Sequence, residues 1–395
     1  MSWLTAELPG TGGIYKEQPS DFQVEEIPLY PCSGKGEHLY LWIEKEGISS
    51  YELLNQLKKG LKIKDREIGY AGLKDARAKT RQMISVPASC AQHLKTLRLR
   101  NATILQNQLH GNKLRIGHLA GNRFTIKLRE THPDAAHRAT AILQKLEQQG
   151  VPNRFGEQRY GVLGNSAKLG LLLLRENYQE FCREMLGDPQ LIRNPQWQAA
   201  AIAYRDNNVA ECLKQLPQQM RDERRLVRTL IEGKGHKQAT KSLPHNLLRL
   251  FLSACQSHFF DQLLEQRLTG LGQLCEGDIA YKHANGACFR VEDAATEQAR
   301  ADSFEISPTA PLFGFKVMQA TGKTGEREQT LLAEAGLDLE SWKLEKGLAM
   351  PGERRPLRVP LNQATATRAA KDEITLSFAL PKGSYATSVL HEIIK

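Results

Sequence analysis

The sequence of 395 residues predicts an α+β fold. Apolar residues alternate near the start, at Leu39, Leu41 and Ile43, and again in EITLSFAL at 373–380, which is the period of half-buried strands. From about residue 166 the pattern changes to helical stretches such as HNLLRLFLSACQSHFFDQLLEQRL. Strands at both ends and a mostly helical middle predict that the chain returns, at its end, to the architecture of its first domain.

The first predicted elements are a strand and a helix. The strand lies within residues 36–47, GEHLYLWIEKEG, and the segment SSYELLNQLKKGLKI follows it. The leucines of that segment recur at the spacing of one helix face: Leu53, Leu54, Leu57 and Leu61. We predict that this helix begins near Ser50, since a serine at the N-cap accepts a hydrogen bond from a free backbone N–H.

Residues 113–130, KLRIGHLAGNRFTIKLRE, are predicted to form two strands around an Ala-Gly-Asn turn. Their basic residues fall at alternating positions within each run: Arg115, Arg123, Lys127 and Arg129. This pattern is typical of a solvated sheet face and also of a nucleic-acid-binding face, and the sequence leaves both interpretations open.

The helical middle is predicted to be a separate module, with some strand near residues 278–291. It contains a basic, helix-like segment that begins at Arg221, RDERRLVRTLIEGKGHKQATK. At the end of the chain, the strand at 373–380 precedes a last helix, for which Ser384 or Thr387 is the predicted cap.

The composition favours a cytoplasmic protein with a polyanionic partner. Lysine and arginine number 54 against 44 aspartates and glutamates, a formal net charge of +10, which favours nucleic acid. Seven scattered cysteines without a C-x-x-C pair argue against a disulfide framework and a zinc site. The start lacks a signal-peptide pattern, and no stretch approaches the roughly 18 apolar residues of a membrane span. We therefore expect the reducing cytoplasm and no membrane partner.

The common cofactor and nucleophile signatures do not occur in this sequence. It has no H-E-x-x-H metal motif, no G-x-x-x-x-G-K-[ST] phosphate loop and no G-x-S-x-G elbow. We therefore expect neither a metal nor a cofactor. The chemistry is expected in short polar and aromatic clusters: KEQPSDFQVEE (16–26), GYAGLKDARAKTRQ (69–82) and VPNRFGEQRYG (151–161).

Asp75 is the one carboxylate of the basic stretch YAGLKDARAKTRQ. By itself, an aspartate in such a stretch is commonly a turn residue or a helix cap. Its basic neighbours change that interpretation, because nearby positive charge lowers the pKa of a carboxyl group: Lys74, Arg77, Lys79 and Arg81. An ionised Asp75 would be ready to act as a nucleophile or base.

In NRFGEQRYG, Phe155 and Tyr160 interleave with Arg154 and Arg159. Aromatic rings stack on unpaired bases while guanidinium groups bind phosphates. An aromatic core residue beside a turn is the alternative interpretation of Phe155. Together, the clusters predict an ionised aspartate that acts on a base inside a basic groove.

Four patches of the chain resemble the tRNA pseudouridine synthase D family, whose members isomerise uridine 13 of certain tRNAs. They are KEQPSDFQVEE (16–26), GYAGLKDARAKTRQ (69–82), PNRFGEQRYG (152–161) and LPKGSYATSVLHE (380–392). SACQSHFFDQLL (253–264) and GERRPLRVP (352–360) are similar to further family segments. The resemblance therefore spans nearly the whole chain, with its segments in the expected order.

By this resemblance the fold is a pseudouridine synthase core, in which helices flank a mixed, largely antiparallel sheet, with an inserted, mostly helical α/β domain. The catalytic domain is expected at residues 1–165 with 353–395, and the inserted TRUD domain at 166–352.

The resemblance also implies roles for single residues. Asp75 occupies the position of the catalytic aspartate, and Phe155 that of the aromatic residue that packs against the target base. Lys16 is a candidate ion-pair partner for Asp75. The residues expected to bind the substrate are Lys16, Phe22, Lys74, Asn153, Phe155 and Arg159.

The implied reaction converts uridine to pseudouridine in tRNA without a cofactor. A carboxylate can trap or stabilise positive character at C1′, or remove the 2′ proton, and the sequence leaves these routes open. The detached uracil must then turn and rejoin through C5, away from water. Phosphate contacts would offset the cost of extruding the base from folded RNA, and the candidates are Arg81, Arg159, Arg224, Arg225, Arg228, Arg354 and Arg355.

Two other classes of function stay open at this point. A non-catalytic RNA-binding or RNA-folding protein could retain the basic groove, although a negative charge at Asp75 would not help it to bind phosphates. A carboxylate-dependent glycosidase normally needs two carboxylates that flank the bond, and only Asp75 has a basic, aromatic setting. The partner that the resemblance implies is tRNA, and the sequence does not indicate whether there are protein partners.

Overall fold

The computed structural model describes residues 2–345 and 347–395. They form two compact units: the sheet unit, residues 2–151 with 359–395, and the helical unit, residues 152–358. The domain boundaries expected from the sequence, 1–165 with 353–395 and 166–352, stay a prediction. Among the described residues, no helix is both long enough and apolar enough to cross a membrane.

The strands follow one another along the chain as β1 (Phe22–Pro28), β2 (His38–Glu46), β3 (Gly69–Tyr70), β4 (Lys79–Pro87), β5 (Ala102–His110), β6 (Leu119–Leu128), β7 (Val151–Pro152), β8 (Ile279–Lys282), β9 (Cys288–Arg290), β10 (Ile306–Leu312), β11 (Glu353–Pro356), β12 (Arg358–Val359), β13 (Asn362–Ala370) and β14 (Glu373–Pro381).

The helices are α1 (Ser50–Leu61), α2 (Ala135–Gln149), α3 (Ser166–Leu174), α4 (Tyr178–Met185), α5 (Pro195–Arg205), α6 (Val209–Gln215), α7 (Arg221–Ile231), α8 (Gly235–Lys241), α9 (His245–Gln266), α10 (Ala294–Asp302), α11 (Gly322–Glu334) and α12 (Ala386–Ile394). Short 3-10 helices lie at Pro19–Asp21, Asp65–Glu67, Ala88–His93, Glu157–Tyr160, Leu268–Gly270 and Glu340–Trp342.

The sheet unit is built on an eight-stranded sheet with the order β13-β14-β6-β1-β4-β2-β5, in which β3 pairs with β4. Strands β1 and β4 are parallel, and the neighbouring pairs β1–β6, β2–β4 and β6–β14 are antiparallel. The predicted mixed, largely antiparallel sheet is therefore confirmed. The expected strand at 373–380 is the inner strand β14.

Strand β2 and helix α1 form one core of the sheet unit. The alternating side chains of β2 are buried against the leucine face of α1, in a cluster that includes Leu39, Leu41, Ile43, Leu53, Leu57 and Leu61. The predicted N-cap is wrong by one residue: Ser49 is the cap, and its Oγ accepts from the Glu52 N–H at 3.1 Å. Ser50 is the first helical residue, and its side chain is buried.

The prediction of two strands within residues 113–130 is wrong. Residues 113–118 form a loop, and β6 runs straight through the supposed turn. A Cβ atom at Gly121 would lie 2.2 Å from the carbonyl oxygen of Leu380 on β14. The glycine is therefore needed for close approach between two strands and not for a turn.

The basic residues of β6 are paired with acids inside the sheet unit. Arg129 donates to Asp21 at 2.8 Å and to Glu373 at 2.6 Å, and Lys127 lies 3.2 Å from Glu373. These ion pairs favour the structural interpretation of the alternating positive charges over the nucleic-acid-binding one.

The helical unit contains α3 to α11 and a four-stranded sheet of order β11-β10-β8-β9. Its antiparallel strands β8 and β9 confirm the strand expected near 278–291. In the sheet unit, the cap predicted for the last helix is wrong: α12 begins at Ala386 after Tyr385, without a side-chain cap bond at the Tyr385 N-cap.

Candidate active site

Asp75 lies in the loop between β3 and β4 of the sheet unit. Its Oδ2 accepts from the Lys16 ammonium at 2.5 Å, and its Oδ1 accepts from the Arg77 backbone N–H at 2.9 Å. Burial opposes ionisation, but these hydrogen bonds and the charges of Lys16 and Lys45 outweigh it, so the pKa of Asp75 is lowered. Because the side chain is still 30% exposed, an ionised carboxylate is accessible to a substrate.

Lys16 reaches Asp75 from an unusual backbone conformation. Its φ is 65°, in the left-handed region that non-glycine residues rarely adopt. Its ammonium lies 4.2 Å from the ring centroid of Phe22, which is buried at the start of β1. Phe22 therefore supports the cation that pairs with Asp75, and a direct contact of Phe22 with substrate stays a prediction.

Lys74 is not the ion-pair partner of Asp75, although the two are adjacent in sequence. Its ammonium lies 3.0 Å from Glu26 Oε2 and donates to Asn122 Oδ1 at 2.7 Å. Both charged side chains are buried, with 6% and 1% exposure, and burial raises the pKa of Glu26 despite the nearby ammonium. The Lys74 charge is thus paired with Glu26 inside the sheet unit, and a contact of Lys74 with substrate stays a prediction.

Two residues that were not predicted from the sequence as part of the site, Lys45 and Ser50, hold the backbone of this loop. The Lys45 ammonium, 1% exposed, donates to the Asp75 carbonyl oxygen at 2.7 Å. Ser50 Oγ accepts from the Lys74 N–H at 2.8 Å. Position 45 continues the buried alternation of Leu39, Leu41 and Ile43, so a charged residue at an inward position was the sequence signal for Lys45.

In the helical unit, Asn153 and Phe155 lie just after β7. The Asn153 side chain donates to the Pro356 carbonyl at 2.9 Å and accepts from the Arg355 guanidinium at 2.6 Å. Two guanidinium carbons lie close to the ring centroid of Phe155, that of Arg355 at 4.3 Å and that of Arg159 at 5.4 Å, and Phe260 forms an edge-to-face pair with the same ring. A nucleobase that stacks on Phe155 must therefore share the ring with these cations or displace one of them.

Asp261 of α9, which was not predicted from the sequence as a site residue, fixes the segment that carries Phe155. Its Oδ1 accepts from the Phe155 N–H at 3.1 Å, and its Oδ2 accepts from the Tyr160 hydroxyl at 2.5 Å. Burial raises the pKa of Asp261 to about 6, even though both hydrogen bonds and the nearby Arg154 and Arg355 favour the ionised form. The sequence feature that could have indicated Asp261 is its position within SACQSHFFDQLL, one of the segments similar to the family.

The predicted phosphate-binding arginines 159, 354 and 355 differ in what they contact. Arg159 is held by the hydroxyls of Ser253 and Ser257, and no carboxylate among the described residues forms an ion pair with it. Arg354 is buried in a two-bond ion pair with Glu328, so its expected phosphate contact is wrong. The Arg355 guanidinium is bonded to Asn153, as described above.

The remaining arginine candidates lie on α7 and β4. Arg225 and Arg228 are exposed on α7, whereas Arg224 donates to the carbonyls of Leu213 and Leu216 and so completes the end of α6. On β4, Arg81 is paired with two acids, Glu25 at 3.2 Å and Glu44 at 2.8 Å. Among the described residues, no group of three or more His, Cys, Asp or Glu side chains could hold a metal ion.

Comparisons with known proteins agree on one family. A family model described as tRNA pseudouridine synthase D (TruD) matches residues 1–393. The tRNA pseudouridine synthase D of Syntrophotalea carbinolica is 53% identical over 394 residues, which cover 100% of this chain and 99% of that protein. That of Thermus thermophilus is 38% identical over 396 residues, with 100% and 92% covered. A crystal structure from Methanosarcina mazei, assigned to the same family, matches with a TM-score of 0.86 at 26% identity, covering 100% of this chain and 96% of that one.

Proposed function

Since this chain belongs to the tRNA pseudouridine synthase D family, we propose that it isomerises uridine to pseudouridine in tRNA with Asp75 as the catalytic carboxylate. The observation that carries the role of Asp75 is its accessible carboxylate, held ionised by the ammonium of Lys16 at 2.5 Å. The protein is thus an isomerase that acts on tRNA, and we place it in the cytoplasm with that substrate.

An ionised Asp75 suits the difficult step of this isomerisation. When the bond between N1 and C1′ breaks, positive character develops at C1′, and a carboxylate can stabilise it, trap it covalently or take the 2′ proton. The uracil then turns and bonds C1′ through C5, while C5 loses a proton and N1 gains one. No net oxidation or hydrolysis occurs, so Asp75 is regenerated at the end of each turnover.

The other predicted residues have supporting parts in this proposal. Phe155 packs against the target base, with Asn153 beside it, and Arg159 supplies positive charge to the nearby phosphates. Lys16 keeps Asp75 ionised from its position above Phe22. We propose that Lys74 acts mainly by fixing the Asp75 loop, since its ammonium is buried against Glu26.

We propose that the exposed face of α7 contacts the phosphate backbone of tRNA. Arg221, Arg225 and Arg228 recur at spacings of four and three residues, so they share one helix face. All three are exposed, and none forms an ion pair within the described residues, although Arg225 donates to the Ser242 carbonyl oxygen at 3.2 Å. Guanidinium groups without an acidic partner in such a row bind phosphates without reading the base sequence.

Replacement of Arg225 and Arg228 by Gln is expected to weaken tRNA binding and to reduce the salt dependence of the affinity. Each lost phosphate contact should lower the slope of log K against log salt by about 1. Affinity is measured at several salt concentrations. The matched control is Lys214→Gln with Lys343→Gln, which removes the same charge from exposed lysines of the helical unit that already pair with glutamates. Equal slopes for both double variants would exclude α7 as a phosphate contact.

The proposed activity is tested with unmodified tRNA transcripts. After incubation with the purified protein, carbodiimide-dependent stops of reverse transcription should appear at uridine 13, and a transcript with cytidine at position 13 should give none there. A stop at another uridine would keep the activity and correct the position. Tight binding of tRNA without any new stop would favour the non-catalytic RNA-binding alternative.

A further inference from the structure

Lys45, near the end of β2, and Ser50, the first residue of α1, hold consecutive peptide groups of the Asp75 loop. The Lys45 ammonium donates to the Asp75 carbonyl oxygen and to the Ile48 carbonyl oxygen, each at 2.7 Å. Ser50 Oγ accepts from the Lys74 N–H at 2.8 Å and lies 3.2 Å from the Lys74 carbonyl oxygen, to which it donates. The hydrogen bonds of Lys45 and Ser50 therefore fix the main chain on both sides of the peptide bond between Lys74 and Asp75.

The position of Lys45 is not explained by the needs of the core. It follows Leu39, Leu41 and Ile43 on the buried face of β2, where an apolar side chain would pack well. A buried ammonium is unfavourable unless it is hydrogen-bonded. Two backbone carbonyls satisfy Lys45, and one of them belongs to Asp75 itself.

Charged groups from several elements surround the Lys45 ammonium. Asp75 and Lys74 face it from the loop, and their charges act on Lys45 in opposite directions. Lys16 from the N-terminal segment is bonded to Asp75, and Glu26 of β1 is paired with Lys74. Burial lowers the pKa of Lys45 to about 8, so its ammonium is charged between pH 5 and pH 7.

We propose that Lys45 and Ser50 are positioning residues for catalysis, which fix the backbone of the Lys74–Asp75 loop so that the Asp75 carboxylate stays in one productive orientation. This rests on the proposed role of Asp75. Lys45 contributes a second effect that Ser50 does not, because its positive charge favours the ionised form of Asp75. Reacting groups that are misplaced by about 1 Å can lose on the order of 100-fold in rate.

Three variants test the proposal: Lys45→Met, which keeps the length of the side chain but removes its donor and charge, Ser50→Ala, and the control Ser49→Ala. Ser49 caps α1, and among the described residues its side chain forms no hydrogen bond with the loop. The turnover number at saturating tRNA, the Kd for tRNA and the melting temperature are measured for each. For Lys45→Met and Ser50→Ala we expect kcat to fall on the order of 10- to 100-fold with Kd within a few fold. Ser49→Ala should keep kcat within about twofold while its melting temperature falls, because only a helix cap is lost.

The pH dependence separates the two positioning residues. Without the Lys45 charge the pKa of Asp75 rises from its lowered value, so on acidification below pH 5 kcat of Lys45→Met should begin to fall at a higher pH than kcat of Ser50→Ala or of the wild type. If Lys45→Met does not fold, Ser50→Ala compared with Ser49→Ala still tests the positioning effect. Wild-type kcat in Ser50→Ala would overturn it, as would wild-type kcat in a folded Lys45→Met.

A failure of this proposal can be told apart from a failure of the proposed function. Asp75→Asn is measured beside the three variants. If Asp75→Asn is inactive while Lys45→Met and Ser50→Ala turn over normally, only the positioning role is wrong. If Asp75→Asn itself turns over normally, the role of Asp75 on which the proposal depends is wrong.

Discussion

We expect Asp75→Asn to abolish pseudouridine formation, with kcat reduced on the order of 10⁴-fold or more. Losses of this size are found when a residue that reacts directly with the substrate is replaced. Asparagine has the same shape, and its oxygen can still accept from the Arg77 N–H. It has no ionised oxygen, so it can neither balance charge at C1′ nor take the 2′ proton. Turnover is measured at saturating tRNA by counting pseudouridine per tRNA.

The affinity for tRNA should change by no more than a few fold in this variant, since a negative charge is lost beside phosphates and none of the proposed phosphate contacts is touched. The matched control is Asp65→Asn, which makes the same chemical change at an exposed aspartate paired with Lys58 in the sheet unit. It should keep wild-type kcat. Turnover near the wild-type rate in Asp75→Asn would remove Asp75 from the mechanism.

Local sequence patterns were enough to predict those helices and strands that pack against segments close to them in the sequence. The alternation of Leu39, Leu41 and Ile43 and the helical spacing of the leucines that follow predicted β2 and α1, because these elements pack on each other within about one loop of sequence. Gly121 was misread as a turn residue, since the strand that requires it, with Leu380, lies far away in the chain. Such a contact between distant segments leaves no local pattern.

Within the site, the sequence predicted which residues matter better than how they pair. Asp75 was singled out by its basic neighbours, but Lys74 points to Glu26, and Lys16, from another segment, supplies the ion pair. The side chains of these adjacent residues reach different partners, so closeness in sequence is a poor guide to side-chain contact. Ser50 shows the same limit: it was read as a helix cap, whereas its hydroxyl is bonded to the Lys74 backbone.

Arg354 shows why charge alone could not predict the RNA-binding surface. It stands beside Arg355 in GERRPLRVP, and both were expected at phosphates. Alternate residues of β11 face opposite sides of the strand, and Arg354 faces inward to Glu328 of α11 while Arg355 is bonded to Asn153. The glutamate is more than twenty residues away, so the sequence pattern around Arg354 could not indicate that its charge is already balanced.

The second large effect is expected at Phe155. If the ring is the platform for the detached uracil, Phe155→Leu should lower kcat about ten- to a hundredfold, since base–aromatic stacking contributes about 1–3 kcal/mol. Leucine keeps most of the apolar volume in a site where the ring is 8% exposed and packs against Phe260. It removes only the flat face. Phe155→Ala should lose activity too, but the cavity costs about 3–5 kcal/mol of stability, so it is less informative.

The control for Phe155→Leu is Phe289→Leu on β9. The Phe289 ring is half-buried in the helical unit and, like Phe155, lies close to two cations, Lys282 at 5.1 Å and Arg300 at 5.7 Å. Its replacement should affect stability without lowering kcat. Melting temperature and kcat are measured for both variants. If Phe155 only fills the core beside Asp261, the two leucine variants will lose stability alike and both will keep kcat, and the stacking role will be rejected.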